Sequence, residues 1–178
     1  MSIDRIPEEL AAALTASAAT RGVFGARLFY AAEVSSTNDL AAAAAERGEP
    51  EGTTFVAGAQ TAGRGRLGRA WFSPPGAGLY LSTLIRRQAL APWITIAGGV
   101  AVAEGIRGAT GLPVQIKWPN DISAVGGAGF KARRKIAGLL AEASSGPQGV
   151  QWMVLGIGIN LGPAAFPPEL AGRAGSIE

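Results

Sequence analysis

The chain contains neither cysteine nor histidine. Without thiols it has no disulfide framework, no cysteine zinc site and no thiol nucleophile. Without imidazole it has no Ser-His-Asp triad, no histidine metal ligand and no side chain that ordinarily titrates near neutrality. Any catalyst written in this alphabet works with lysine, arginine, carboxylates, amides and backbone groups. Long apolar runs are missing too. Residues 88–103 come nearest, and they are glycine-containing and too short to span a bilayer. The start carries Asp4, Glu8 and Glu9 where a secretory signal would be basic and then apolar. The expectation is a soluble, cytoplasmic protein with no membrane partner.

What is present is glycine and an uneven charge. The 26 glycines in 178 residues are about twice the usual share. They cluster with polar and basic residues, as in loops that hold a ligand at close range. Residues 1–51 carry 4 basic and 8 acidic side chains, whereas residues 52–178 carry 12 basic and 5 acidic, within a net charge of +3. The basic part favours an anionic partner: nucleic acid, nucleotide or phosphorylated metabolite. The length suits one domain able to bury its own core.

Pro7 followed by acids predicts a helix over 7–20. A strand over 26–34 precedes the N-cap candidates Ser36, Thr37, Asn38 and Asp39, then a helix over 39–47 that Gly48 and Pro50 stop. Strands are expected over 53–59 and 78–86. Residues 91–110 read as a helix, with Trp93, Ile96, Val100, Ala103 and Ile106 at helical spacing. Strands over 113–118, 121–125, 134–142 and 149–161 follow, the glycine-rich GGAGF connecting the middle two. This pattern argues an α+β fold with a mixed or antiparallel sheet, in one domain over 1–178 without repeats.

Four segments could carry chemistry. In residues 58–76, Gly63, Gly65 and Gly68 satisfy G-x-G-x-x-G after a strand. A dinucleotide fold needs a helix to start inside that motif, and Trp71-Phe72-Ser73-Pro74-Pro75-Gly76 cannot continue one. Arg64, Arg66 and Arg69 in the same loop repel one another unless an anion sits among them; a solvated basic loop is the alternative. In Lys117-Trp118-Pro119-Asn120-Asp121, a cation, an amide and a carboxylate suit a phosphate and a magnesium ion, although an ordinary turn would use the same residues. Along 134–142, strand alternation puts Lys135, Ala137, Leu139 and Ala141 on one face and Ile136, Gly138, Leu140 and Glu142 on the other. Lys135 is then an edge residue or a cation aimed into a site, and Lys131, Arg133 and Arg134 read as a solvated turn. In residues 154–160, Gly156, Gly158 and Asn160 share a bare face, which implies close approach of a ligand or of another backbone.

Together and in this order, SSTN, AQTAGRGRLGRAWFSP, LYLS, KWPND, RKIAGLLAE and GIGIN resemble the biotin protein ligase catalytic domain of the biotin and lipoate ligase superfamily. The match runs from about Ser35 to Asn160. The resemblance implies a mixed sheet related to class II aminoacyl-tRNA synthetase cores. It also implies a reaction: biotin and ATP give biotinyl-5′-AMP and pyrophosphate, and the biotinyl group passes to a lysine of a biotin carboxyl carrier protein. No prosthetic group is implied; ATP, its Mg2+ and biotin are substrates. By motif position, Ser36, Thr37, Asn38, Gln60, Gly63, Arg64, Gly65, Lys135 and Gly138 would face biotin. Arg66, Arg69, Trp71, Lys117, Asn120, Asp121 and Asn160 would face the nucleotide, with Asp121 near magnesium. Lys135, Arg64, Arg66 and Lys117 would be the catalytic cations.

Bifunctional members carry an N-terminal winged helix. About 25 residues precede the first strand here, so no DNA binding is expected, and the family's C-terminal β domain is expected to be absent from this chain. The connection 124–133 looks longer than the family norm, without an assigned role, and a homodimer stays open. Lipoate–protein ligase and a basic nucleic-acid-binding module without catalysis are the alternative readings.

Overall fold

The computed structural model describes residues 3–125, 134–162, 166–170 and 172–178. Most of the 124–133 connection, with GGAGF, Lys131 and Arg133, lies outside the described residues.

Seven strands form one mixed sheet: β1 (Leu28–Val34), β2 (Thr54–Gln60), β3 (Gly78–Ile85), β4 (Val114–Lys117), β5 (Asp121–Ala124), β6 (Lys135–Gly146) and β7 (Gly149–Asn160). Their spatial order is β1-β2-β3-β7-β6-β5-β4. Only the β1–β2 pair is parallel, as a crossover through a helix requires, and the other neighbours run antiparallel. The α+β expectation holds.

The crossover helix α2 (Thr37–Glu46) starts two residues earlier than the sequence suggests, because extended Ser36 takes the N-cap position. Thr37 and Asn38 thereby fall inside the helix and are buried at its sheet-facing end. Ala41 and Ala44 pack on Phe55 and Val154. The long helix α3 (Ile94–Thr110) covers the opposite face, where Val102, Ala103 and Ile106 join a core with Ile85, Leu139, Met153 and Leu155.

The helical period over 91–110 holds, and the C-terminal part of the apolar stripe, Ala103 and Ile106, is buried in the core, but the rest is not a contact face. Trp93, Ile96 and Val100 are 61%, 45% and 41% exposed. The helix docks through Ala103 and Ile106 together with Ile94, Gly98 and Val102, which lie outside the stripe. A Cβ on Gly98 would stand 2.6 Å from Leu155 Cδ2 and 2.9 Å from Leu139 Cδ2. At Gly98 the helix therefore approaches the sheet too closely for a side chain, which a hydrophobicity pattern cannot register. The N-terminal helix α1 (Glu8–Ala16) ends before residue 20 and buries no residue. Strand β6 runs on past Glu142 because Ser144 and Ser145 continue its ladder with β7 to a Gly146–Gly149 turn.

Candidate active site

The floor of the site follows from sheet register. Gly138 lies opposite Gly158, Leu140 opposite Gly156, and Gly156 opposite Ser82. This bare face is covered by the protein's own side chains. A Cβ on Gly158 would meet Trp71 Nε1 at 2.4 Å, and one on Gly138 would meet the Trp71 ring at 2.9 Å. The Asn38 amide lies as closely on Gly156, whose Cβ would stand 2.1 Å from its oxygen. The two glycines of GIGIN are thus dictated by side chains packed flat on the strand. Trp71 Nε1 is buried there without a hydrogen-bond partner.

One wall is a chain of polar contacts. Gln60 Oε1 accepts from the Thr37 amide at 2.9 Å and from its hydroxyl at 3.1 Å, while Gln60 Nε2 donates to Ser73 Oγ at 3.0 Å. The Ser82 hydroxyl stands 2.8 Å from Thr37 Oγ1 and 2.6 Å from Asn38 Oδ1. Asn38 Nδ2 donates to Glu142 Oε2 at 2.5 Å.

The cations are arranged unequally. Lys135 Nζ lies 2.6 Å from Asp121 Oδ1 and 4.9 Å from the centre of the Trp71 ring. It would also be 3.0 Å from a Cβ on Gly138, so it reaches the glycine face that strict alternation assigns to its neighbours. The cause is a register shift: Ile122 pairs with Ala137 but Ser123 pairs with Lys135, leaving Ile136 as an extra residue. A bulge of this kind re-aims a side chain. Arg64 clasps Asp39 through both terminal guanidinium nitrogens, at 3.1 and 2.5 Å, and lies 3.6 Å from Glu142. The hydrogen bond to Asp39, more than any other influence, raises its pKa above the usual arginine value. Internal carboxylates therefore neutralise Arg64, rather than an anion shared among the three loop arginines. Arg66 and Arg69 are exposed. Arg134, read from sequence as part of a solvated turn, donates to Ala174 O at 3.3 Å.

Two adjoining cavities share Leu139. The first is about 30 Å3, room for about one water, and is lined by Ser36, Thr37, Asn38, Gln60, Arg64, Gly65, Trp71, Asn120, Lys135 and Gly138 among others. The second is about 290 Å3, between Arg66, Pro92, Ile96, Trp118, Pro119 and Leu139. Most residues nominated from sequence thus surround the first cavity, and Arg66 lines the second. Gly63 packs behind it, where a Cβ would be 2.7 Å from Ser73 Oγ. Asp121 joins through Lys135, and exposed Lys117 stands opposite it at the end of β4. Asn160 turns elsewhere, donating to Gly175 O at 2.7 Å. Arg69 and Lys117 line neither cavity. Sequence reasoning did not nominate Ser82 or Glu142. Both lie in motif segments, Ser82 closing LYLS and Glu142 closing RKIAGLLAE on Gly138's face, but their partners show only once β3 and β6 are laid beside β7. Among the described residues no three carboxylates gather to hold a metal. No helix among them is long and apolar enough to cross a membrane.

The profile of the Biotin/lipoate A/B protein ligase family matches residues 30–160, the span that builds the sheet and both cavities. The chain belongs to this family. The bifunctional ligase/repressor BirA of Bacillus spizizenii is 39% identical over 160 residues, covering 87% of this chain and 47% of that protein. The biotin–[acetyl-CoA-carboxylase] ligase of Mycobacterium tuberculosis is 36% identical, covering 85% and 54%. Among solved structures, the Aquifex aeolicus biotin protein ligase in complex with biotin and ATP superposes with a TM-score of 0.67 at 33% identity, over 85% of this chain and 60% of that one. The Leishmania major biotin protein ligase in complex with biotinyl-5-AMP gives 0.68 at 27% identity, over 85% and 63%. The chain spans about half the length of the curated relatives it matches.

Proposed function

We propose that residues 30–160 are the catalytic unit of an ATP-dependent biotin–protein ligase that works in the cytoplasm. The observation that carries this reading is the placement of Lys135. A bulge turns this half-buried cation onto a glycine floor, in the small cavity that it lines together with Thr37, Asn38 and Gln60 of the polar wall. Biotin would lie on the floor, with Ser36, Thr37, Asn38 and Gln60 toward its ureido ring and Gly63, Arg64, Gly65 and Gly138 around it. A ligand of that size needs roughly the 300 Å3 of an ordinary binding pocket. The first cavity offers about 30 Å3; Trp71, packed on Gly158 and Gly138, would swing off the floor to admit biotin and would then face the nucleotide. ATP would occupy the neighbouring cavity, which Arg66 lines, with Lys117, Asn120 and Asp121 flanking its Trp118 and Pro119 along the chain and magnesium arriving as the counter-ion of its phosphates.

The chemistry needs no imidazole or thiol. A biotin carboxylate oxygen attacks the α-phosphorus, a C–O–P anhydride forms, the α–β P–O bond breaks and pyrophosphate departs. Two anions meet and a third leaves, so cations held in place supply most of the catalysis. Lys135 would bridge the carboxylate and the α-phosphate, exchanging Asp121 for them. The amine of a carrier-protein lysine then attacks the acyl carbon, forming an amide and releasing AMP. The partner is a carrier domain of a biotin-dependent carboxylase. Titration calorimetry with biotin, with and without ATP, tests the reading: biotin alone should bind, and should raise the affinity for nucleotide.

A further inference from the structure

We infer that Glu142 is a positioning residue that ties the Arg64 loop and the Asn38 amide to the sheet. Its purpose is to hold the loop across the mouth of the first cavity, an inference that rests on the ligase reading above.

Glu142 lies on β6 on the same face as Gly138, paired with Val154 of β7. One of its oxygens, Oε2, serves two groups from different elements. It accepts from Asn38 Nδ2 of α2 at 2.5 Å and stands 3.6 Å from Arg64 Nη2 of the loop. The same guanidinium nitrogen lies 2.5 Å from Asp39 Oδ1, beside Asn38 on the helix. A single arginine therefore bridges α2 and β6. Behind it the loop is closed on itself: the Gly65 amide donates to Arg69 O at 2.7 Å and the Trp71 amide to Gly63 O at 2.8 Å. Holding Arg64 thus also holds the backbone from which Trp71 hangs.

The charge has a second consequence. An ionised carboxylate only accepts hydrogen bonds, so it fixes which end of the Asn38 amide points toward it. With Nδ2 committed to Glu142, Oδ1 faces Ser82, whose hydroxyl also meets Thr37. Thr37 in turn meets Gln60. Glu142 therefore sets which end of the Asn38 amide meets the Ser82 hydroxyl, where the polar wall begins. An apolar residue would pack α2 on the sheet as well, but would leave the amide free to turn over.

The test compares Glu142→Gln and Glu142→Ala alone and in an Arg64→Met background. In the unliganded protein, Glu142→Gln should speed hydrogen exchange at the Gly65 and Trp71 amides about threefold, the size of a half-exposed ion pair. In the Arg64→Met background the same substitution should leave those amides unchanged, because contacting residues are not additive. Unchanged exchange in the single variant, or an equal effect without Arg64, would overturn the inference. With biotin, Glu142→Ala should raise KM for biotin about tenfold, the scale of losing a charged hydrogen-bond acceptor, with kcat within about twofold. A fall in kcat at unchanged KM would also overturn it. Should the unsubstituted protein not bind biotin, the ligase reading fails on its own, and the exchange arm still decides whether Glu142 clamps the loop.

Discussion

Lys135 Nζ lies 2.6 Å from Asp121 Oδ1, across a β5–β6 pair whose register shifts by one residue between them. The pair holds the cation at the edge of the glycine floor in the absence of any substrate phosphate. Each side chain remains about a third or a quarter exposed, at 34% and 24%. The ion pair therefore contributes at most about 1 kcal/mol to stability.

From this follows a separation between folding and chemistry. Lys135→Ala should leave the denaturation midpoint nearly unchanged while lowering adenylate formation by about 100-fold or more, the cost of removing a preorganised charge-stabilising donor. A folded variant with near-normal pyrophosphate exchange would remove Lys135 from the catalytic role.

Gly156→Ala should destabilise the fold by about 1–3 kcal/mol, the usual cost of forcing a methyl into a packed site. Its Cβ would enter the Asn38 amide, which Ser82 and Glu142 hold in place. Urea denaturation reads this directly, and an unchanged midpoint would mean that the amide can move aside.

Substitutions along α3 should separate its two faces. Ile106 is 4% exposed and Val100 is 41% exposed. Ile106→Ala should cost about 2–5 kcal/mol, a core truncation. Val100→Ala should stay within about 0.5 kcal/mol, as surface changes do. The reverse ranking would contradict the burial of Ile106 and the exposure of Val100 on which this assignment of faces rests.

Tyr80 is 1% exposed, and its hydroxyl donates to Pro74 O at 3.1 Å. Burial raises its pKa above the ordinary tyrosine value. The unfolded chain therefore gives up this proton first. The contribution to stability is complete below about pH 10 and is lost as pH rises through the raised folded pKa. Stability measured from pH 9 upward should fall more steeply for the native chain than for Tyr80→Phe; equal slopes would show that the buried hydroxyl titrates normally.

Much of this was legible in the order of residues. Strand positions followed from alternation and from glycine and proline punctuation. The absence of cysteine and histidine narrowed the chemistry to fixed cations, carboxylates, amides and backbone groups. Motif order brought together Ser36 through Asn38, Gln60, Arg64, Trp71, Lys135 and Gly138, which are distant along the chain. What stayed hidden depended on partners rather than patterns. The bulge at Ile136 is a property of pairing, and it moved Lys135 to the face that alternation denied it. Gly98 marks a close helix–sheet contact yet reads as a neutral residue. Arg64 looked like one of three mutually repelling cations until the fold brought Asp39 and Glu142 beside it.

The most direct measurement is biotin-dependent exchange of labelled pyrophosphate into ATP, run beside lipoate and the Lys135→Ala variant. The account predicts exchange with biotin, little with lipoate, and near-complete loss in the variant. No exchange with biotin, or equal exchange with lipoate, would contradict it.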